Sequence, residues 1–276
     1  MSVMRRSAAV AVLCSAVLGL VACAQPAYDE NGVYTPQFGQ AGKDVMWVPT
    51  AQVVVDRMLA LAQVTPDDFL VDLGSGDGRT VIAAAKQGAR AHGIEFNPDL
   101  VVLSQQAAAR EGLADRATFE QGDIFKTDFS DASVVTLFLL TELNLKLRPI
   151  LLNMKPGTRI VSNSFDMGDW RPDETATVTD HCSGFCTTYK WVVPAHVAGT
   201  WHMESDARLE LAQTFQMVRG SLYAEDDRTS IRDARMNGSR IEFRVGDDLY
   251  TGEVVGDTLR GMVNGVRAWS AQRSVG

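Results

Sequence analysis

Phe69-Leu70-Val71-Asp72-Leu73-Gly74-Ser75-Gly76-Asp77-Gly78-Arg79 is the stretch on which the fold turns. Its apolar start makes a short buried strand, alternate glycines then interrupt it, and residues 80–87 resume at helical spacing. A strand that runs through a glycine turn straight into a helix opens a βαβ unit, which belongs to a parallel sheet. Without Cβ atoms, the glycines let the backbone adopt unusual dihedrals and approach a ligand closely.

Outward from this stretch, short apolar runs alternate with helical segments. Strands are predicted over 69–73, 91–95, 117–121, 133–140 and 159–165, and helices over 80–87, 98–111 and 143–154. Residues 175–179 and 188–193 suit a terminal antiparallel pair. Upstream, Val53, Val54, Met58 and Leu61 predict a helix over 51–63 with Thr50 as its N-cap. The whole reads as an α/β domain over 45–194, built on a seven-stranded Rossmann-like sheet. After Pro194 the pattern becomes short apolar and polar alternation with turns such as Asn237-Gly238 and Asn264-Gly265, predicting a small all-β domain over 195–276. Gly199-Thr200-Trp201 and Trp269 open and close it in the manner of a lipocalin-like barrel, although such aromatics also serve as plain core.

The ends and the composition bound the setting. The chain has 276 residues and a net charge of −8, with Lys and Arg scattered, so no basic stripe exists to track nucleic acid. Residues 1–24 read as an export signal, with Arg5 and Arg6 ahead of an apolar run shorter than the roughly 20 residues that cross a bilayer. Leu20-Val21-Ala22-Cys23 resembles a bacterial lipobox, which would anchor the chain to membrane lipid through Cys23; cleavage after Ala24 is the competing reading. The expected location is therefore outside the cytoplasm, periplasmic or membrane-anchored. Residues 25–44 read as a tether pinned by Tyr34 and Phe38. Cys182 and Cys186 remain for the folded part, where a disulfide or free thiols suit them better than a metal site completed by His181.

Three motifs in chain order fit the three parts of S-adenosyl-L-methionine (SAM). Asp72, Gly74, Ser75, Gly76 and Gly78 would cradle the methionine end. Glu95, closing the second strand in Gly93-Ile94-Glu95, would accept from the ribose hydroxyls. Asp123 and Ile124, after the third strand, would meet the adenine amino group and ring. A dinucleotide site also wants a glycine turn and an acid about 20 residues on, but its third glycine position is here Arg79.

These residues carry a family resemblance. From about Trp47 to Val193 the chain resembles class I methyltransferases related to the lysine methyltransferases that act on the c-ring protein of ATP synthase and on the adenine nucleotide translocase. The matching stretches are Val48-Pro49, Asp72 to Arg79 with Ile82 to Lys86, and Gly93 to Pro98; Leu145 to Leu151 and Trp170, Pro172 and Asp173 match more loosely. The resemblance implies a seven-stranded methyltransferase sheet, SAM as cofactor, and methyl transfer to a protein or small-molecule acceptor, with protein lysine leading. Thr141, Glu142 and Asn144, after the fourth strand, are the candidates that face the methyl group, and Trp170 and Trp47 the candidates for an aromatic acceptor channel. The alternative is an exported lipoprotein that uses a methyltransferase fold as a binding module without activity. A third possibility gives the β domain an apolar ligand cavity.

Overall fold

A computed structural model describes residues 28–29, 32–225 and 227–274; residues 1–24, read above as an export signal with Cys23, lie outside the described residues. Among those described, no helix is long and apolar enough to cross a membrane.

The chain enters through α1 (Gln52–Ala62), then alternates β1 (Phe69–Leu73), α2 (Arg79–Lys86), β2 (Arg90–Glu95), α3 (Pro98–Arg110) and β3 (Ala117–Gln121). After β4 (Val134–Leu137), α4 (Thr141–Leu152) and β5 (Arg159–Asn163) come β6 (Glu174–Thr177) and β7 (Thr187–Val192). The sheet order is β3-β2-β1-β4-β5-β7-β6, parallel through β5, with β7 antiparallel to β5. Residue alternation sorts the strand side chains onto two faces. Leu70, Val134 and Val161 pack with α1 and α2 on one face, while Val71, Leu73, Leu137 and Ile160 pack with Leu143, Leu147 and Leu151 of α4 on the other.

Local chemistry explains the helix starts. Asn97 caps α3, accepting from the Asp99 backbone N–H at 2.9 Å, and Pro98 takes the first turn, where no N–H is needed. Thr50 is not the cap of α1; Ala51 holds that place without a side-chain bond, and the Thr50 carbonyl instead accepts from Arg79 at 2.7 Å. The fourth strand stops at Leu137 rather than running to residue 140, because 138–140 leave the sheet to wall a cavity.

The second sheet is a meander of β8 (Gly199–Met203), β9 (Arg208–Thr214), β10 (Met217–Ala224), β11 (Asp227–Ser230), β12 (Arg232–Asn237), β13 (Arg240–Val245), β14 (Asp248–Val255), β15 (Thr258–Val263) and β16 (Arg267–Arg273). β11 and β12 lie end to end along β10, separated at Ile231, so the ring has eight places and closes where β16 pairs with β8. Closure removes the exposed edges of an open sheet. Its interior is filled by Trp201, Leu209, Ile241, Phe243, Leu259 and Trp269, with the Phe243 and Tyr250 rings stacked at 4.9 Å. Among the described residues the barrel interior is thus occupied by apolar side chains, as in other small barrels.

Candidate active site

The central cavity, about 540 Å³, opens at the carboxyl ends of β1 to β5, within the size range of small-molecule sites. Its floor is the glycine loop. Gly74, Gly76 and Gly78 all have positive φ, at 80°, 55° and 80°. A Cβ on Gly76 would sit 2.8 Å from the Trp47 indole nitrogen, so only glycine admits both the turn and the indole. A Cβ on Gly78 would meet the Phe119 ring at 2.7 Å and Ser104 Cβ at 2.8 Å. Gly78 thus seats α2 against α3 and β3 and is not part of the cavity wall; Asp72, Gly74, Ser75 and Gly76 are.

Sheet register sets the acids. Asp72 lies between Gly93 of β2 and Thr136 of β4, and Thr136 Oγ1 donates to its Oδ1 at 2.6 Å. Burial pushes the Asp72 carboxyl up to about 7; Glu95 and Asp77 add like charge, while Thr136 and Thr80 oppose the rise. Glu95 Oε2 accepts from Gly76 N–H and Oε1 from Asn97 N–H, both at 2.9 Å. Each oxygen keeps a lone pair, and the side chain is locked at the cavity rim, as a carboxylate that receives two hydroxyls must be. Asp123 and Ile124 line the same end. Asp123 accepts from Phe125 N–H at 3.1 Å and from Lys43 Nζ at 3.0 Å, and the Lys43 ammonium holds its carboxyl below the usual range.

Lys43 comes from the segment read as a tether. Residues 39–47 form a hairpin: Gly39 N–H donates to the Trp47 carbonyl and Trp47 N–H to the Gln40 carbonyl, both at 2.9 Å. It covers the cavity, with Lys43 also over the Phe96 ring at 4.9 Å. Tyr34 is buried and its hydroxyl accepts from Gln40 at 2.7 Å, whereas Phe38 is exposed and pins nothing. The residue-by-residue signal for this lid was weak, because its turn is held by backbone bonds and by a lysine distant in sequence from its partner.

The opposite end is apolar. Phe138, Leu139 and Leu140 follow β4, Phe165 follows β5, and Phe185 sits on the loop between β6 and β7, where Cys182 and Cys186 are joined by a disulfide. Thr141, Glu142 and Asn144 are not on the wall. Glu142 is exposed, and Thr141 Oγ1 donates to Asp166 at 3.4 Å. Asn144 is fully buried and donates to the Phe165 and Asp166 carbonyls at 3.1 Å, fastening the loop that carries Phe165. Trp170 is likewise no channel residue: it is wholly buried, stacked on Phe215 at 5.8 Å. Trp47 does line the cavity. Sequence reading missed the three phenylalanines because nothing local distinguishes an aromatic on a wall from one in a core.

The donor set fits SAM: a glycine floor, an anchored carboxylate over β2, and an acidic wall for a ligand whose sulfonium and ammonium outweigh its one carboxylate. Residues 72–174 match the ANTKMT methyltransferase domain model. A protein-lysine N-methyltransferase of Saccharolobus islandicus (strain REY15A) is 41% identical over 155 residues, covering 55% of this chain and 96% of that protein. The adenine nucleotide translocase lysine N-methyltransferase of Mus musculus is 35% identical over 130 residues, 46% of this chain and 56% of that one. Among solved structures, an RNA methyltransferase from Salinibacter ruber in complex with S-adenosyl-L-homocysteine is 51% identical, with a TM-score of 0.52 over 54% of this chain and 96% of that one.

Proposed function

Since the chain belongs to the class I SAM-dependent methyltransferases of the ANTKMT type, we propose that its acceptor is the side-chain amine of a protein lysine. SAM, when bound, supplies a methyl carbon on a sulfonium; the amine lone pair takes it, the C–S electron pair stays on sulfur, and the surplus proton passes to water. The chain's own residues hold the cofactor and prepare the amine. Asp72, Gly74, Ser75 and Gly76 receive the methionine end, Glu95 the ribose, and Asp123 and Ile124 the base. Trp47 and the 39–47 hairpin exclude water, which matters because water competes with the acceptor for an electrophile.

The observation that carries the lysine reading is the charge of the wall. Asp44, Asp77, Glu95 and Asp123, with Asp72 partly ionised near pH 7, outweigh Lys43 and Arg79 on the cofactor side of the cavity, a balance that repels an approaching polyanion and leaves the apolar side to the acceptor. The acceptor ammonium must give a proton to water before its lone pair can take the methyl, and loss of hydration at the apolar end works towards that release against the pull of the ring faces on the cation. Two relatives carrying lysine methyltransferase names support the same acceptor. The RNA methyltransferase likeness supplies the rival. The test is incubation of the full chain with methyl-labelled SAM and, separately, a lysine-containing unfolded polypeptide and an RNA transcript. Label on lysine, lost in Glu95→Ala, supports the reading, and label on RNA alone overturns it.

We place this activity outside the cytoplasm. The Cys182–Cys186 bridge supports that placement, since such bonds persist in oxidising compartments. Lipidation at Cys23 would appear as an acyl mass on the mature N-terminal peptide; an intact Met1 peptide would refute export.

A further inference from the structure

We propose that Phe138, Phe165 and Phe185 form the receptor for an alkyl ammonium chain, and that the Cys182–Cys186 disulfide sets Phe185 in place, so the redox state of that loop governs acceptor binding and leaves cofactor binding intact. This rests on the methyltransferase reading and adds to it where the acceptor sits and what controls access.

The rings arrive from separate elements and converge. Phe138–Phe185 centroids lie 5.2 Å apart at 69°, and the Phe138–Phe165 and Phe165–Phe185 pairs at 6.0 Å. All three line the cavity on the β4, β5 and β7 side of β1, while Glu95 and Asp123 occupy the β2 and β3 side. The sheet reverses its winding between β1 and β4, the place where open α/β sheets hold ligands. A cofactor on Glu95 and Asp123 therefore leaves the ring side for the second substrate. Among the described residues that side has no carboxylate on its wall, since the lining acids are residues 44, 72, 77, 95 and 123. What it offers a ligand is ring faces, which attract weakly hydrated cations, and apolar surface for a methylene stem.

Phe185 is unlike an ordinary core residue. It is 46% exposed and holds φ at 55°, a region that bulky residues seldom occupy. Its loop keeps this shape through covalent and hydrogen-bonded closure: the disulfide spans Cys182 to Cys186, Val178 N–H donates to the Cys186 carbonyl at 2.9 Å, and Ser164 N–H to the Thr187 carbonyl at 2.7 Å. The last bond ties the loop stem to the residue before Phe165, so the disulfide loop and the second ring share a hydrogen-bonded support. Cutting the bridge frees residues 183–185 and releases one wall of the receptor.

The test uses the full chain and n-pentyltrimethylammonium, a permanent cation that cannot accept a methyl group. S-adenosylhomocysteine is titrated first by calorimetry, then the cation into the saturated protein. Saturable cation binding is expected, weakened about tenfold in Phe185→Ala and in Phe165→Ala. It should weaken comparably in Cys182→Ser/Cys186→Ser or after reduction, with S-adenosylhomocysteine affinity held within about twofold in each case. Phe185 is half-exposed, so its variant keeps the fold even if the cysteine pair does not. No cation binding by cofactor-loaded protein, or binding unchanged in the phenylalanine variants, overturns the receptor and leaves the methyltransferase reading standing. Loss in those variants without loss on reduction overturns the redox control. Failure to bind S-adenosylhomocysteine overturns the reading and the receptor together.

Discussion

Glu95, the residue proposed to hold the ribose, has its position decided before any ligand arrives: two backbone N–H groups at 2.9 Å aim it. Removing a charge-assisted acceptor pair costs about 1.5–3 kcal/mol. We therefore expect Glu95→Ala to weaken S-adenosylhomocysteine binding by about tenfold or more, measured by calorimetry. Asp72 makes a pH prediction. Its folded value of about 7 lies above its ordinary 3.8, so its contribution to stability is fully present below 3.8 and is lost as pH rises through about 7. Asp72→Asn should raise the melting temperature of the empty protein at pH 8 and leave it little changed at pH 4. In the proposed pose the ammonium of S-adenosylhomocysteine lies beside Asp72 and favours its carboxylate, so affinity should fall as pH drops below 7 and the Asn variant should flatten that profile. These acids were readable from spacing alone, since strand ends and glycine turns dictate where they emerge. The place of Asn144 is not legible in the sequence, because its burial, and the two carbonyls it holds, depend on a loop some twenty residues away.

At the scale of elements, the hairpin over 39–47 matters most. It rests on Gly76 through Trp47 and on Asp123 through Lys43. The exposed ion pair is a weak fastener in water, so the indole carries the hold. Trp47→Ala is expected to speed S-adenosylhomocysteine release about tenfold with little change in association rate, read by stopped-flow fluorescence or surface plasmon resonance. The strands and helices of the sheet were legible because period-two and period-3.6 patterns survive wherever one side of an element is buried. The exit of 138–140 from the sheet was not, since Phe138, Leu139 and Leu140 are as apolar as a strand and nothing in their own sequence marks the point where they leave it to line the cavity.

For the whole molecule, the junction of sheet and barrel is the decisive feature. Phe215, on the β9–β10 turn, stacks on Trp170, and Trp191 Nε1 donates to the Trp170 carbonyl at 2.7 Å. Asp173 accepts from Val192 N–H at 2.7 Å, from Gln216 at 3.2 Å, and from Arg235 of the barrel. The barrel thus completes the core around Trp170, and both parts should melt in one calorimetric transition. Phe215→Ala should cost about 2 kcal/mol, less than a fully buried phenylalanine, and split that transition. Trp170, Pro172 and Asp173 stood out in the sequence as family-like, yet two of them serve this junction. By itself the sequence determined the α/β class, the order of strands, the cofactor and where the acids at the strand ends emerge, because these depend on periodicity and on turns a few residues long. Only the tertiary structure decided that the hairpin is a lid, that the barrel is filled, and that three phenylalanines wall the acceptor side. Each of those depends on contacts between residues far apart in the chain, and a side chain's local sequence does not record which neighbours folding will bring to it.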